Sequence, residues 1–371
     1  MTEPILEVKN LTTSFSTDEG ELIAVDDVSF TIDRGEIFGI VGESGSGKSV
    51  TALSILQLID STGQIDADEI LFDGEDLLSA SDEEIRQIRG SKMGMIFQNP
   101  STSLNPVLTV GEQIAEVVRH HGDVDESDSF WREMGRKYVT GTSTQSPSWK
   151  RAVSLLEKVG IPAPEERAKD YPHQLSGGMK QRAMIAQALA ADPELIIADE
   201  PTTALDVTIE AQILAELENL REEFDVSIIF ITHDLGVIRE ICDNVTVMYA
   251  GEVMEAGDVR TIIEDPWHPY TQDLIACIPR LSDDREWLTV SEGNVPSLVN
   301  KEPGCPYRYR CDYEFGECTT ESEKFAGSSA NHQVKCHLHD PEHDEQLATM
   351  ERESGLYDSQ STDSIDGGVS Q

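Results

Sequence analysis

The chain has 371 residues, of which 70 are acidic and 28 are basic, so its formal net charge is −42. This length accommodates one large α/β domain with an appendage, or two domains. The charge argues against direct binding to duplex DNA, which needs Lys and Arg against the phosphates. It predicts a protein from a salt-loaded cytoplasm, as in a halophile, because molar salt shortens the Debye length to about 3 Å and screens self-repulsion. A basic partner for the acidic surface is the alternative.

No part of the sequence approaches the roughly 20 consecutive apolar residues that span a bilayer. Residues 1–4 lack the basic start and apolar centre of a signal peptide. We therefore expect a protein that is made and kept in the cytosol, and that reaches a membrane only through partners.

The first elements are strands. Residues 4–33 alternate apolar and polar side chains, which predicts antiparallel strands joined by a turn at residues 18–20. Phe15 lies near the end of the first strand, where an aromatic ring can stack on a base or pack in the core. The apolar run at residues 37–41 predicts a buried strand, and residues 50–56 predict a helix.

The segment between that strand and that helix matches the phosphate-loop pattern G-x-x-x-x-G-K-[ST] without a mismatch. Its residues are Gly42, Glu43, Ser44, Gly45, Ser46, Gly47, Lys48 and Ser49, and Val50 follows. The glycines let backbone N–H groups turn inward around an anion, and the helix N-terminus adds partial positive charge. Lys48 can reach the outer phosphates, and the Ser49 hydroxyl can bind Mg²⁺. The sequence therefore predicts a nucleotide site here.

Strands and helices follow the phosphate loop. Residues 69–76 predict a strand and a turn, and residues 93–97 predict a strand that ends at Gln98. A Gln beside a nucleotide can ligate a metal or position water, or it can simply form a turn. Residues 107–170 carry apolar side chains at helical spacing, interrupted by a polar insertion at residues 119–149.

Two later segments add candidate anion and metal ligands. The Ser-Gly-Gly sequence at residues 176–178 opens an Ala-rich helix, whose N-terminus can bind an anion. Residues 195–200 are four apolar residues followed by Asp199 and Glu200, which predicts a buried strand that delivers carboxylates to the carboxyl edge of the sheet. One carboxylate can hold Mg²⁺, and the other can orient or deprotonate water.

A further buried strand is predicted at residues 225–234 and leads to His233. A lone histidine is usually structural, but at the same sheet edge as the two acids it can sense the γ-phosphate of a nucleotide. Residues 245–253 predict two short strands around a glycine turn.

In this order and spacing, the motifs resemble the ATPase subunit of ATP-binding-cassette (ABC) transporters over residues 4 to about 260. The phosphate loop is similar to Walker A, residues 195–200 to Walker B, Gln98 to the Q-loop residue and His233 to the switch histidine. The signature motif corresponds to Leu175, Ser176, Gly177, Gly178, Met179 and Gln181, and the D-loop to Ala204, Leu205 and Asp206. Other phosphate-loop classes lack the Leu-Ser-Gly-Gly sequence.

The resemblance implies an α/β phosphate-loop NTPase fold of the ABC ATPase type. A RecA-like core would carry an antiparallel β subdomain and a helical subdomain at about residues 99–190, within a nucleotide-binding domain of residues 1–260. Two subunits would sandwich two ATP molecules, each between Walker A of one subunit and the Ser-Gly-Gly sequence of the other.

The resemblance also implies roles for individual residues. The catalytic residues would be Lys48, Glu200 and His233. Glu200 would polarise the attacking water, His233 would contact the γ-phosphate, and Lys48 together with Mg²⁺ would stabilise the charge of the transferred phosphoryl group. The Mg²⁺ ligands would be Ser49, Gln98 and Asp199. Phe15 becomes a candidate for stacking on adenine. Met179 stands where many relatives have Gln, which suits the peptide-importer branch.

The sequence after residue 260 indicates which branch of the family the chain resembles. Residues 267–274 and the Ile-Pro pair at 278–279 look like the C-terminal extension of dipeptide and oligopeptide importer ATPases, which we place at residues 261–339. Four cysteines in it follow the spacing C-x₅-C-x₆-C-x₁₇-C: Cys305, Cys311, Cys318 and Cys336. Four thiolates suit Zn²⁺ or a [4Fe–4S] cluster, and free thiols that pack a small subdomain are the alternative. The resemblance favours the iron–sulfur cluster, and the C-x₂₋₄-C pairs usual for zinc are absent.

The sequence thus predicts the ATP-hydrolysing subunit of an importer of short peptides, peripheral at the cytoplasmic face of the membrane. The implied partners are two transmembrane permease subunits, a second ATPase subunit and, through the complex, an extracytoplasmic solute-binding protein. An ATPase subunit of the same type that serves the uptake of nickel or sugar is one alternative. A soluble ABC ATPase in DNA repair or translation is another. Residues 340–371 are acidic and predicted to be disordered.

Overall fold

A computed structural model of the chain describes residues 3–121, 144–203, 206–278, 295–329 and 331–343. Most of the predicted polar insertion, the Ile-Pro pair in part and nearly all of the acidic tail lie outside these ranges. Within them, no helix is both long and apolar enough to cross a bilayer.

Strands and helices alternate along most of the chain. The strands are β1 (Pro4–Thr17), β2 (Gly20–Asp33), β3 (Ile37–Val41), β4 (Gly63–Asp66), β5 (Glu69–Phe72), β6 (Glu75–Asp76), β7 (Met93–Ile96), β8 (Leu195–Asp199), β9 (Ser227–Thr232), β10 (Asn244–Tyr249), β11 (Glu252–Asp258), β12 (Phe325–Ala326) and β13 (Gln333–Val334). The helices are α1 (Lys48–Ile55), α2 (Asp82–Ser91), α3 (Pro100–Ser103), α4 (Val110–His121), α5 (Pro147–Lys158), α6 (Pro164–Arg167), α7 (Gly177–Ala188), α8 (Val207–Phe224), α9 (Leu235–Ile241), α10 (Val259–Glu264) and α11 (Pro269–Ala276). The predicted strands and helices are confirmed to within a few residues.

The strands form two sheets. An antiparallel sheet has the order β2–β1–β5–β6, with β4 paired to β1. The second sheet has the order β12–β13–β11–β10–β3–β9–β8–β7, and its strands β10, β3, β9, β8 and β7 run parallel. The phosphate-loop strand β3 and the acid-bearing strand β8 are therefore separated by β9.

Strands β3, β8 and β9 are buried at every position because both faces of the parallel sheet are covered. In β3, Ile37 and Val41 face an apolar cluster shared with the helices, whereas Phe38 and Ile40 face a cluster shared with the antiparallel sheet and α1. A strand covered on both sides needs an apolar side chain at every position, which explains the continuous apolar runs.

The helical layer packs on one face of this sheet. Ile114 of α4, Leu155 of α5 and Ile185 of α7 are fully buried in the same apolar cluster. Helix α5 begins after Ser146, whose hydroxyl accepts a hydrogen bond from the Trp149 N–H. The helical spacing predicted for residues 107–170 is thus confirmed on both sides of the insertion.

The described part of residues 295–343, which we call the C-terminal segment, continues the main sheet, because β13 pairs antiparallel with β11. Buried Glu255 of β11 accepts hydrogen bonds from the backbone N–H groups of Trp267 and His268, at 2.7 and 3.0 Å. Its Oε1 also lies 2.7 Å from Nε2 of the fully buried His332. The contact with His332 and the pairing of β13 with β11 fasten the C-terminal segment to the main sheet.

Candidate active site

The phosphate loop, residues 42–49, lies between β3 and α1 as predicted. Gly47 has a φ of +100°, and a Cβ there would lie 2.4 Å from the carbonyl oxygen of Ala24, so the position requires glycine. Ser44, Gly45 and Ser49 are exposed, which leaves the tip of the loop open to solvent.

Lys48 is 5% exposed and donates hydrogen bonds from Nζ to the carbonyl oxygens of Gly42 and Glu43, both at 2.8 Å. Burial lowers the pKa of this ammonium group, while the charges of Glu200 and Asp199 act in the opposite direction. The lysine therefore lies in the loop within the field of both acids.

Asp199 ends β8 and accepts a hydrogen bond from Ser49 Oγ at 3.1 Å. Burial raises the pKa of Asp199 above its ordinary value, although the hydrogen bond from Ser49 lowers it in part. Mg²⁺ takes oxygen ligands and is usually held by one or two carboxylates together with substrate phosphates. The paired oxygens of Ser49 and Asp199 fit such a site.

Glu200 follows β8 directly and has a positive φ of 46°, a strained conformation of the kind found at functional sites. Its N–H donates to the Ile231 carbonyl of β9 at 2.9 Å, which holds the residue against the neighbouring strand. Oε2 accepts hydrogen bonds from Gln98 Nε2 at 2.7 Å and Thr203 Oγ1 at 2.8 Å, and Oε1 lies 3.4 Å from His233 Nδ1. Three polar side chains from three different segments therefore converge on one carboxylate.

These neighbours decide the charge of Glu200. Burial raises the pKa of its carboxyl group, but hydrogen bonds from Thr203 and Gln98, together with His233, outweigh burial and hold the pKa below its ordinary value. An ionised carboxylate at neutral pH can accept a proton from water. Thr203 was not predicted, and its only signal is its position three residues after the second acid.

Gln98 was predicted to ligate a metal, to position water or simply to form a turn, and the resemblance implies a Mg²⁺ ligand. In the structure its amide nitrogen points to Glu200, and the Gln98 side chain is exposed. This contact places Gln98 beside the carboxylate that can accept a proton from water.

The signature residues lie at the start of α7. Ser176 caps this helix, because its Oγ accepts a hydrogen bond from the Met179 N–H at 3.3 Å. Ser176 and Gly177 are exposed, Gly178 and Met179 are half-buried, and Leu175 and Gln181 are buried. In the described part of the chain, the hydrogen bonds of Ser176 and Gly177 stay within α7 and do not reach the phosphate loop.

Of the predicted D-loop, Asp206 caps α8 through a hydrogen bond from the Ile209 N–H at 3.0 Å. Ala204 and Leu205 lie outside the described residues. Phe15 is half-buried on β1, opposite Leu22 of β2 and Gly63 of β4.

The four-cysteine metal site is not supported. The four cysteines lie near one another, since the charges of Cys305, Cys311 and Cys318 act on Cys336, although Cys336 belongs to a small apolar cluster and Cys305 and Cys311 pack against the main core. Burial raises the pKa of the Cys305 thiol to about 11 and that of Cys311 to about 12, and the charges of neighbouring cysteines add to both increases. Within the ranges described above, no three or more Cys, His, Asp or Glu side chains are arranged to hold a metal ion. The free-thiol alternative, with Cys318 and Cys336 buried, fits this packing better.

Comparison with known proteins places this site in a family. Residues 25–203 match the family model described as "ABC transporter", and residues 254–318 match "Oligopeptide/dipeptide transporter, C-terminal region". The oligopeptide transport ATP-binding protein OppD of Bacillus subtilis is 47% identical over 340 residues, covering 91% of this chain and 90% of that protein. This chain belongs to the ABC transporter ATP-binding family.

Other similar proteins and solved structures are also ABC proteins. The dipeptide transport ATP-binding protein DppD of Bacillus subtilis is 45% identical over 339 residues, covering 91% of this chain and 96% of that protein. A dimeric ATP-binding cassette solved in a post-hydrolysis state with ADP and phosphate is 30% identical, with a TM-score of 0.57 over 69% of this chain and 99% of that one. CbiO1 of Clostridium perfringens, part of an ABC transporter complex, is 27% identical, with a TM-score of 0.57 over 71% and 92% of the two chains. As an ABC ATPase, the chain couples ATP hydrolysis to transport.

Proposed function

We propose that this chain is the ATPase subunit of an importer for di- and oligopeptides, bound peripherally at the cytoplasmic face of the membrane. The observation that carries the proposal is the convergence of Gln98, Thr203 and His233 on Glu200, beside the Ser49–Asp199 pair. The identity to peptide-transport relatives over nine-tenths of the chain supports the solute class.

Each polar residue then has a role in phosphoryl transfer. Lys48 binds the outer phosphates and stabilises transferred charge. Glu200 orients the attacking water and accepts its proton at a carboxylate oxygen, and His233 contacts the γ-phosphate. Ser49 and Asp199 would hold Mg²⁺, which neutralises charge on the phosphates. Phe15 is proposed to stack on the adenine.

We also propose that a second ATPase subunit completes the site. The exposed Ser176 and Gly177 at the start of α7 leave backbone N–H groups open to an anion, and no hydrogen bond ties them to the chain's own phosphate loop within the described residues. Ser176, Gly177 and Gly178 would contact the nucleotide held by the phosphate loop of the other subunit. The D-loop, including Asp206, would lie near the same contact.

A groove beside Gln98 is the proposed contact for a permease. It encloses about 320 Å³ and is lined by apolar side chains that include Leu58, Met95, Phe97, Val117 and Met184. Phe97 is 45% exposed, an unusual state for so large an apolar side chain, and it immediately precedes Gln98. An apolar cytoplasmic segment of a permease seated here would act on Glu200 through one intervening residue.

The groove proposal can be tested with one pair of variants. In the assembled transporter, Phe97→Ser is expected to reduce stimulation of ATP hydrolysis by the loaded solute-binding protein. Val107→Ser is the matched control, because Val107 is 74% exposed and does not line the groove. Equal stimulation in both variants would contradict this docking site.

For domain organisation, we propose a nucleotide-binding domain of residues 1–260, an importer-type extension of residues 261–339 and an acidic tail of residues 340–371. The expected [4Fe–4S] cluster is supported only by the cysteine spacing and the resemblance. A brown anaerobic preparation that absorbs near 400 nm would support the cluster, provided that the Cys305→Ser variant lacks this absorption band. Stoichiometric zinc, or no metal at all, would refute it.

We further propose that the protein works in concentrated salt, since its 70 acidic residues far outnumber its 28 basic residues. Screening of this repulsion should raise both the unfolding temperature and the ATPase rate as KCl approaches molar concentrations. An ATPase rate that peaks in dilute buffer would contradict this adaptation.

The transported solute decides between the proposed function and its alternatives. The chain should be purified with its permeases, reconstituted in vesicles, and assayed for ATP hydrolysis with its solute-binding protein and peptides, nickel or sugars. Stimulation by short peptides supports the proposal. Stimulation only by nickel or by a sugar would show that this solute, and not a peptide, is transported. Copurification with ribosomes or DNA in place of permeases would overturn the transport function.

A further inference from the structure

The C-terminal segment reaches the phosphate loop. Arg310 Nη1 lies 2.9 Å from both carboxylate oxygens of Glu43, the second residue of the loop. The backbone N–H of the same Glu43 donates to Tyr270 Oη of α11 at 3.0 Å. Glu43 is thus held at its backbone and at its side chain by residues that come after the cassette motifs.

The position of Arg310 is fixed by its surroundings. Its side chain is 10% exposed, and its guanidinium carbon lies 5.7 Å from the ring centroid of Tyr249 and 5.6 Å from that of Tyr307. The rings of Tyr249, Tyr270 and Tyr307 pack together, with centroids 4.7 to 5.2 Å apart. The Tyr307 hydroxyl in turn donates to the Asp273 carboxylate of α11. The guanidinium therefore meets Glu43 in an orientation set in advance by packing.

Glu43 is linked directly to the lysine of the loop. Its carbonyl oxygen accepts the hydrogen bond from Lys48 Nζ at 2.8 Å. The Glu43 side chain is 31% exposed and brings a negative charge into a loop whose ligand is a polyanion. Without a counter-charge, this carboxylate would repel the phosphates and compete for Lys48.

We propose that Arg310 is a positioning residue for nucleotide binding: it neutralises Glu43 and holds it in place, so that the C-terminal segment sets the affinity of the phosphate loop for Mg-ATP. This inference rests on the proposed function and deepens it. The C-terminal segment then acts on the ATP site of its own subunit.

The test compares Mg-ATP affinity in the full-length chain. Arg310→Met is expected to weaken equilibrium binding of Mg-ATP by about tenfold and to raise KM far more than it lowers kcat. In the double variant Glu43→Gln/Arg310→Met, most of the lost affinity should return, because the uncompensated charge is gone. A merely structural role for Arg310 would give no such recovery.

Arg308→Met is the matched control. Arg308 lies in the short 3₁₀ turn Pro306–Tyr309 that Arg310 directly follows, its side chain is also 10% exposed, and it binds Glu302 rather than the phosphate loop. Its replacement should leave the affinity for Mg-ATP within about twofold of wild type. An equal loss in Arg308→Met would show that general damage to the C-terminal segment causes the effect, and would overturn the inference.

Two outcomes separate this inference from the proposed function. If wild type binds and hydrolyses Mg-ATP but Arg310→Met binds it equally well, only the inference fails. If wild type binds no Mg-ATP, the proposed function fails. Near-UV circular dichroism checks folding, and if Arg310→Met does not fold, Arg310→Gln replaces it with the same expected loss and the same recovery by Glu43→Gln.

Discussion

Thr203 Oγ1 lies 2.8 Å from Glu200 Oε2, and the Thr203 N–H donates to the Glu200 carbonyl oxygen at 3.2 Å. One residue thus holds both the side chain and the backbone of the proposed base. Thr203 directly precedes the proposed D-loop, so a second subunit that displaced this loop would act first on the residue that holds the Glu200 carboxylate.

Thr203→Val should shift the acidic limb of the pH–kcat profile to higher pH. Burial raises the pKa of Glu200, and the Thr203 hydrogen bond is the leading contact that lowers it, so its loss raises that pKa. Because Glu200 acts only when ionised, activity would then be lost at a higher pH on acidification. The measurement is kcat at saturating Mg-ATP across the acidic and neutral range. Thr208→Val, at an exposed position of α8, is the control, and a lower kcat with an unmoved limb would contradict this role.

Glu200→Gln should keep Mg-ATP binding and reduce the hydrolysis rate by about 10³-fold, within the range typical of general bases. The amide preserves the size of the side chain and can still bind Thr203, but it cannot accept a proton from water. Single-turnover hydrolysis measures the loss, and equilibrium binding measures the retained affinity. The exposed Glu218→Gln of α8 serves as the control, and near-normal turnover in Glu200→Gln would remove Glu200 from its assigned role.

Asp199→Asn should abolish hydrolysis and at the same time stabilise the nucleotide-free protein at neutral pH. Burial raises the pKa of Asp199 above its unfolded value, so its ionised form weakens folding as pH rises through the folded-state pKa. Removing this cost is expected to raise the free energy of unfolding, with a rise of a few degrees in Tm, and the gain should vanish below the unfolded pKa.

The control for Asp199→Asn must remove one charge elsewhere, because any lost carboxylate relieves some repulsion in a chain of net charge −42. The exposed Asp60→Asn meets this need. Equal changes in Tm for the two variants would mean that overall charge, and not burial of Asp199, sets the effect.

Gly47→Ala should destabilise the protein more than Gly45→Ala, by about 2 kcal/mol. Both glycines have positive φ, +100° and +81°, so both substitutions add backbone strain. A Cβ at Gly47 would also lie 2.4 Å from the Ala24 carbonyl oxygen, whereas a Cβ at Gly45 meets no atom within 4 Å. The difference in unfolding free energy in denaturant isolates the clash, and equal values would argue that the loop shifts to relieve it.

Much of the fold follows from local patterns. The apolar runs of β3, β8 and β9 identify buried strands because each is covered on both faces. Their order does not follow from such patterns. The position of β9 between β3 and β8 depends on contacts between distant segments, and this order is what brings His233 to the side of Glu200.

Some residues of the site can be predicted from local patterns, and others cannot. Lys48, Asp199 and Glu200 lie in motifs whose spacing carries the chemistry, so they were predictable. Thr203 is a common residue in a turn, and its bond to Glu200 appears only in three dimensions. The cysteine spacing does not fix the geometry of a metal site: the charges of Cys305, Cys311 and Cys318 act on Cys336, yet within the described residues no three or more ligand side chains are arranged to hold a metal ion.

The pair of Glu43 and Arg310 spans 267 positions of the chain. A ribosome adding about 5–20 residues per second completes the phosphate loop on the order of 10 to 60 seconds before it adds Arg310. During synthesis, the emerging cassette therefore carries an unneutralised glutamate in its nucleotide loop. A product that ends early would contain every nucleotide motif and still lack Arg310, the residue that contacts the Glu43 carboxylate in its phosphate loop.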